Sequence, residues 1–126
     1  MSTVRRAGER ITGEVESWPG VDAGLGRRGE FAFTLGGREF GHLHGDRAAH
    51  FFFPRDIWLA LRRSGRIVEH PVFPGREGPA ARLIGDEADV RGVIELLRLG
   101  YDRVAERQLA RRGAAAGSAR GSGSSG

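Results

Sequence analysis

The 126-residue chain contains no cysteine, no lysine and no asparagine, and all 20 of its basic residues are arginine. Each absence removes chemistry. Without cysteine there is no thiol nucleophile, disulfide framework, iron–sulfur cluster or thiolate zinc site. Without lysine there is no Schiff-base enzyme and no ordinary phosphate-binding P-loop. No apolar run approaches the roughly 18 residues of a membrane span, and the first twenty residues carry Arg5, Arg6, Glu9, Arg10, Glu14 and Glu16. No secretion signal or membrane association is expected, and the cytoplasm is the expected compartment.

The length suits one small domain. A net charge of +4 and a sequence pI near 11.1 point first to nucleic acid. The distribution argues otherwise. All 16 carboxylates lie between Glu9 and Glu106, and the chain up to that point also holds 16 arginines, so the excess falls on Arg107, Arg111, Arg112 and Arg120. The expected organisation is a neutral domain over residues 1–106 followed by a flexible Arg/Gly/Ala/Ser tail over 107–126, and nucleic acid is not an expected partner.

Val4, Ala7, Ile11, Val15 and Trp18 recur at three- and four-residue intervals and predict a helix that Pro19-Gly20 ends. A glycine-rich connector follows. It contains Gly24-Leu25-Gly26-Arg27-Arg28-Gly29, a literal dinucleotide fingerprint in the wrong context, since that loop must open a helix. Glu30 to Leu35 alternates as a strand, Gly36-Gly37 supplies a two-residue turn, and Arg38 to His44 is the return strand. With that turn, Leu35 faces Arg38, Phe33 faces Phe40 and Phe31 faces His42, which sets Phe31, Phe33, Leu35, Phe40, His42 and His44 on one face. A shift of one residue would move both histidines to the other face.

His50 to Phe53 reads as a third strand closed by Pro54, apolar on both sides. A helix opens near Asp56 with Ile57, Trp58 and Leu61 inward, and Gly65 stops it. Arg66 to Phe73 is predicted extended, and Ala81 to Ile84 forms a short strand. Asp86 caps a last helix whose stripe is Val90, Val93, Ile94, Leu97, Tyr101 and Val104. The fold expected is α+β: an antiparallel sheet of four to five strands packed by an N-terminal, a middle and a C-terminal helix.

Histidine is the main catalytic resource left. His42 and His44, two apart on a strand, point the same way with their bases about 7 Å apart, near enough to converge on one ion or substrate. His70 lies after the middle helix and His50 follows the pair closely; Asp46, just past Gly45, could complete a two-histidine-plus-carboxylate set. Two polar rings on an otherwise aromatic face are the kind of local conflict at which sites occur. Arg55 is a candidate anchor for an anionic substrate, and Phe31 and Phe40 stand on the same expected face as the histidines. Ser17 and Ser64 sit at helix ends, which argues against a serine triad, and Tyr101 belongs to the apolar stripe and reads as core.

Trp18-Pro19-Gly20-Val21, Gly37 to Asp46, Phe53-Pro54-Arg55, Glu69-His70-Pro71 and Ile94 to Tyr101 together resemble the luciferase-like domain family, over about Ile11 to Ala105. The most specific elements are the G-H-x-H of His42 and His44 and the later His70-Pro71. That family is named after the fungal luciferase and otherwise consists mostly of small proteins of unassigned function. The fungal enzyme oxidises a hydroxylated pyrone with molecular oxygen and no separate cofactor, so the resemblance implies a pocket in which histidines act as bases or orient a substrate. The present chain is much shorter and shows no N-terminal membrane-associated segment, so light emission is not expected.

Two functions lead, with nucleic-acid binding through the arginines of residues 107–126 as the third reading. One is a small oxidoreductase, cofactor-independent or metal-assisted, with His42, His44 and His70 lining a pocket and Asp46 orienting a ring. The other is a non-catalytic interaction module with structural histidines. The partner expected is an aromatic or acidic small molecule bound by Arg55, Phe31 and Phe40. No organic cofactor is expected, and a divalent metal on His42, His44 and His70 is the one inorganic group the set can take.

Overall fold

The computed structural model describes residues 5–26 and 29–124, with side chains described through residue 115; Val4, Arg27 and Arg28 lie outside these residues, as does the side chain of Arg120. The element order is α1 (Ala7–Glu16), β1 (Val21–Leu25), β2 (Phe31–Leu35), β3 (Arg38–His44), β4 (Ala48–Phe52), α2 (Arg55–Arg63), β5 (Val68–Glu69), β6 (Pro79–Leu83) and α3 (Glu87–Ser124). The fold is α+β, as expected. Its sheet has six antiparallel strands in the order β1-β2-β3-β4-β6-β5, against the four to five expected. The additional first strand occupies the glycine-rich connector, where Val21, Ala23 and Leu25 pair with Leu35, Phe33 and Phe31. Glycine weakens a strand's local signal but does not block its ladder. Gly24 and Leu25 of the fingerprint-like segment therefore belong to β1, and the Gly26 N–H donates to the Glu30 carbonyl at 2.7 Å. Of the segment expected to be extended, Arg66 to Phe73, only Val68–Glu69 is a strand.

The helices form where the apolar spacing places them. Ala7, Ile11 and Val15 are the buried face of α1, and Trp58 and Leu61 that of α2. Asp86 caps α3 through its carboxylate, which accepts the Asp89 N–H at 2.8 Å, while Asp89 reaches back to accept the N–H groups of Gly85 and Asp86. This reciprocal capping satisfies donors that a bare helix start leaves unmade. Val90, Val93, Leu96, Leu97 and Tyr101 are buried, and the Tyr101 hydroxyl donates to the Pro19 carbonyl at 2.7 Å. Tyr101 is thus core, and the Ser17 and Ser64 hydroxyls likewise donate to helix carbonyls. From residue 107, where a flexible tail was expected, the chain continues α3. Leu, Ala, Gln and Arg sustain a helix, and the Gln108 side-chain amide holds this stretch to the Leu35 carbonyl at 2.9 Å. No helix is long and apolar enough to cross a membrane among the described residues.

The helices α1 and α3 lie on one face of the sheet, over Phe33, Leu43, Ala49, Phe51 and Ala80. The hairpin turn between β2 and β3 is the two-residue kind expected, and Leu35 pairs with Arg38. Beyond it the register departs from expectation. A β-bulge makes Thr34 face Glu39 but Phe33 face Gly41, so Phe40 is the extra residue and Phe31 faces Leu43. The one-residue slip turns His42 and His44 away from Phe31 and Phe33, onto the face that α1 and α3 leave uncovered. Its cause is packing: Phe40 is drawn into an aromatic cluster with Trp18, Phe33 and Tyr101, at ring separations of 6.4, 6.2 and 5.7 Å. Burying this ring is worth roughly 2 kcal/mol or more, which outweighs one irregular ladder position.

Candidate metal centre

On the uncovered face, the β3–β4 register sets His42 directly opposite His50, with His44 opposite Ala48. The pleat then brings His42, His44 and His50 to one side of the sheet. His70, just after β5, closes over them. The ring centroids lie 5.0 Å apart for His42 and His44, 5.2 Å for His42 and His50, 4.2 Å for His44 and His50, and 4.1 Å for His50 and His70. All four histidines of the sequence therefore occupy one site.

Each ring has a distinct setting. His42 Nδ1 lies 2.9 Å from a Glu39 carboxylate oxygen, so the carboxylate accepts the Nδ1 proton, and in the neutral ring Nε2 is the nitrogen with the free lone pair. This carboxylate–imidazole pairing is the usual way a metal-ligating histidine is oriented. His70 has the opposite tautomer: its Nδ1 accepts the Val72 N–H at 3.1 Å, so its neutral ring carries the proton on Nε2 as a donor. His50 is buried and its pKa is lowered to about 4, first by burial and then by neighbouring His70, His44 and His42. Burial, with His42 and His44 nearby, also lowers His70. His44 is the exposed member.

The low His50 value fixes the sign of one pH effect. The unfolded chain takes up a proton at this histidine between its ordinary value of 6.5 and about 4, and the folded chain does not. The site therefore costs no stability above pH 6.5, and stability falls progressively as the pH drops through that window. Urea midpoints of metal-free protein at pH 7 and pH 4.5 should show the loss, and His50→Gln should show a smaller one. Equal losses in the two proteins would mean that His50 is not held neutral.

His42, His44 and His50 each offer one nitrogen, and these donor atoms all lie within 4.8 Å of one another. Nitrogens sharing a tetrahedral metal at about 2.0–2.1 Å stand roughly 3.3 Å apart, so loading requires a closure of about 1.5 Å, which the exposed His44 side chain can supply. The set differs in one member from the sequence reading, which paired His42 and His44 with His70. By sequence, His50 belongs to a strand that reads as apolar on both sides. Its signal was nevertheless present, because the strand period sets His50 and Phe52 opposite to the buried Phe51 and Phe53.

The other residues named from sequence are not drawn into the cluster. The Asp46 carboxylate accepts the Gly8 N–H at 2.7 Å and so ties the start of α1 to the turn after β3. Phe31 stacks edge-on with Phe33 at 5.8 Å and, with Leu43 and Asp46, lines a separate cleft on the helix side. Arg55 pairs with Glu77 at 2.6 Å. Phe40 is the exception among them, since it is one of the residues lining a cleft of about 210 Å³ that also takes in His42, His50, His70, Phe52 and Phe73.

Comparison with known proteins assigns the chain to a family. No curated protein and no solved structure matches the chain. A family model described as the Luciferase domain matches residues 37–100, half of the chain, and that span contains every histidine of the cluster together with the Phe40 bulge. The chain belongs to the luciferase-domain family.

Proposed function

We propose that His42, His44 and His50 bind one divalent transition metal, and that the adjoining cleft holds a small acidic or aromatic molecule against it, as a small metal-assisted oxidoreductase does. The observation that carries this reading is the convergence of three imidazole donors within 4.8 Å in a chain with only four histidines. The donor chemistry narrows the ion. Three neutral nitrogens suit zinc, copper, iron or nickel, whereas calcium and magnesium demand oxygen ligands. Three protein ligands with one exposed flank leave a coordination position for a ligand.

A bound metal supplies Lewis-acid polarisation of a ligand oxygen or, with a redox metal, electron exchange. The chain supplies the rest. Glu39 holds the His42 tautomer, burial keeps His50 neutral and ready to ligate, and His70 presents an N–H to a ligand oxygen. Phe52 and Phe73 line the same cleft and offer flat surfaces to an aromatic ring.

Thermal unfolding of metal-free protein titrated with Zn(II), Co(II) and Mg(II) tests the proposal. The first two should stabilise by about 2.7 kcal/mol at a free concentration one hundred times Kd, and Co(II) should develop visible absorption, while Mg(II) should do neither. No stabilisation, or the same stabilisation from Mg(II), would sink it.

A further inference from the structure

Two further clefts adjoin the histidine cleft. Pairing between β3 and β4 runs only from His44↔Ala48 to His42↔His50, whereas β4 continues to pair with β6 as far as Phe52↔Pro79. The β3–β4 register stops short of Phe40, the residue that bulges out of the β2–β3 ladder. The histidine cleft and a second cleft of about 170 Å³ share Glu39, Phe40 and Phe52. That second cleft in turn shares Arg38, Val104 and Arg107 with a third, of about 260 Å³, which reaches Arg111 between the β2–β3 turn and α3.

The last two clefts are strongly cationic. Arg38, Arg103, Arg107 and Arg111 line them, the last three at four-residue spacing along one stripe of α3. Among the described residues, Arg10, Arg55, Arg66, Arg82 and Arg98 each pair with a carboxylate, and none of these four does. The one acid lining the second cleft, Glu39, is committed to His42. Like charges repeated at this spacing oppose the helix that carries them, so their convergence with Arg38 has a cost that a bound anion would relieve.

From the shared lining we infer that the ligand is an elongated organic anion, with its carboxylate or phosphate among Arg38, Arg103 and Arg107 and its other end, aromatic or oxygen-bearing, beside the histidines. The inference rests on the reading of the histidine cleft as the ligand site. It gives that site its substrate class and assigns a second, anion-holding subsite that includes the exposed Arg38 and Arg107, whose replacement leaves the core untouched.

Calorimetry with phenylacetate, 3-phenylpropionate, 5-phenylvalerate and their uncharged amides tests it, on metal-free and on Co(II)-loaded protein. The longest acid should bind about tenfold more tightly than its amide, and Arg38→Gln or Arg107→Gln should each remove about that factor for the acid alone. Binding of the acid should weaken as salt is added. Equal affinity for acid and amide, indifference to both arginine substitutions, or no binding of any acid up to millimolar concentration would overturn the inference. So would arginine-dependent binding shown only by a polynucleotide. An acid that goes to the metal instead announces itself by changing the Co(II) spectrum while ignoring the arginine variants, which also counts against the subsite. Failure of the wild-type chain to take up Co(II) strikes the metal reading alone, because the acid and amide are still compared on metal-free protein.

Discussion

His50→Ala should lower the affinity for Zn(II) or Co(II) by about a hundredfold, and His44→Ala should do the same, whereas His70→Ala should retain one metal per chain with affinity changed far less. The reasoning is geometric. His50 is the innermost of the three nitrogen donors that lie within 4.8 Å of one another, and its lowered pKa leaves it unprotonated at neutral pH. Structural metal sites release roughly 10–16 kcal/mol over about four ligands, so losing one of three imidazoles costs on the order of 3 kcal/mol, or about two decades of affinity. His70 stands as close to His50 as His44 does, but its Nδ1 is occupied by the Val72 N–H and its Nε2 carries the proton. Competition titration with a chromophoric chelator would measure all three variants. A loss in His70→Ala as large as in His44→Ala would make His70 a fourth ligand and change the tautomer assignment. Retention of full affinity in His50→Ala would remove the metal centre altogether. Because His50 is buried, circular dichroism of that variant should accompany the titration, to separate lost ligation from lost folding.

Gly100→Ala should destabilise the protein by about 2 kcal/mol, a fall in Tm of roughly 5–10 °C, although it replaces a poor helix former with the best one. A Cβ at Gly100 would stand 2.9 Å from the Phe40 carbonyl oxygen and 3.3 Å from the Phe40 Cβ. The first of these is backbone, so no side-chain rotation relieves the contact; the helix or the bulged strand must move. Gly41 is confined in the same way, because a Cβ there would overlap the buried Leu97 side chain. Two glycines thus allow α3 to approach β3 at the bulge that orients the histidines. Gly13, in the exposed middle of α1 with nothing within 4 Å of a built Cβ, supplies the contrast. Gly13→Ala should stabilise by up to about 1 kcal/mol on helix propensity alone. Thermal melts of the two variants should move in opposite directions, and a neutral or stabilising Gly100→Ala would show that the helix and strand are not in forced contact.

Much of the fold was legible because its signals are local. The apolar stripe from Ala7 to Val15, the stripe from Val90 to Tyr101 and the Asp86 cap each need only a few turns of chain to express themselves, and each is seen. The Gly36-Gly37 turn was equally readable, since both residues take the positive φ that a tight hairpin demands. The first strand was not, because Gly24 and the flanking glycines mimic a loop until β2 pairs with it. Residues 107 to 115 mimic a tail until the Gln108 side chain reaches the Leu35 carbonyl.

The site divides along the same line. The residue types and their scarcity are properties of the sequence alone. With neither cysteine nor lysine present, chemistry at nitrogen falls to four histidines, two of them held two apart on a strand. Which face they occupy is a property of the packed molecule. Phe40 enters a cluster with Trp18 and Tyr101, residues distant in sequence, and that burial inserts one extra residue into β3 and reverses the side-chain alternation beyond it. The reversal turns the histidines from the helix side to the uncovered face, where the β3–β4 register sets His42 opposite His50. Local sequence determined the elements and the reactive groups; the choice between two registers one residue apart was left to core burial, because it depends on contacts that exist only once α3 lies against the sheet.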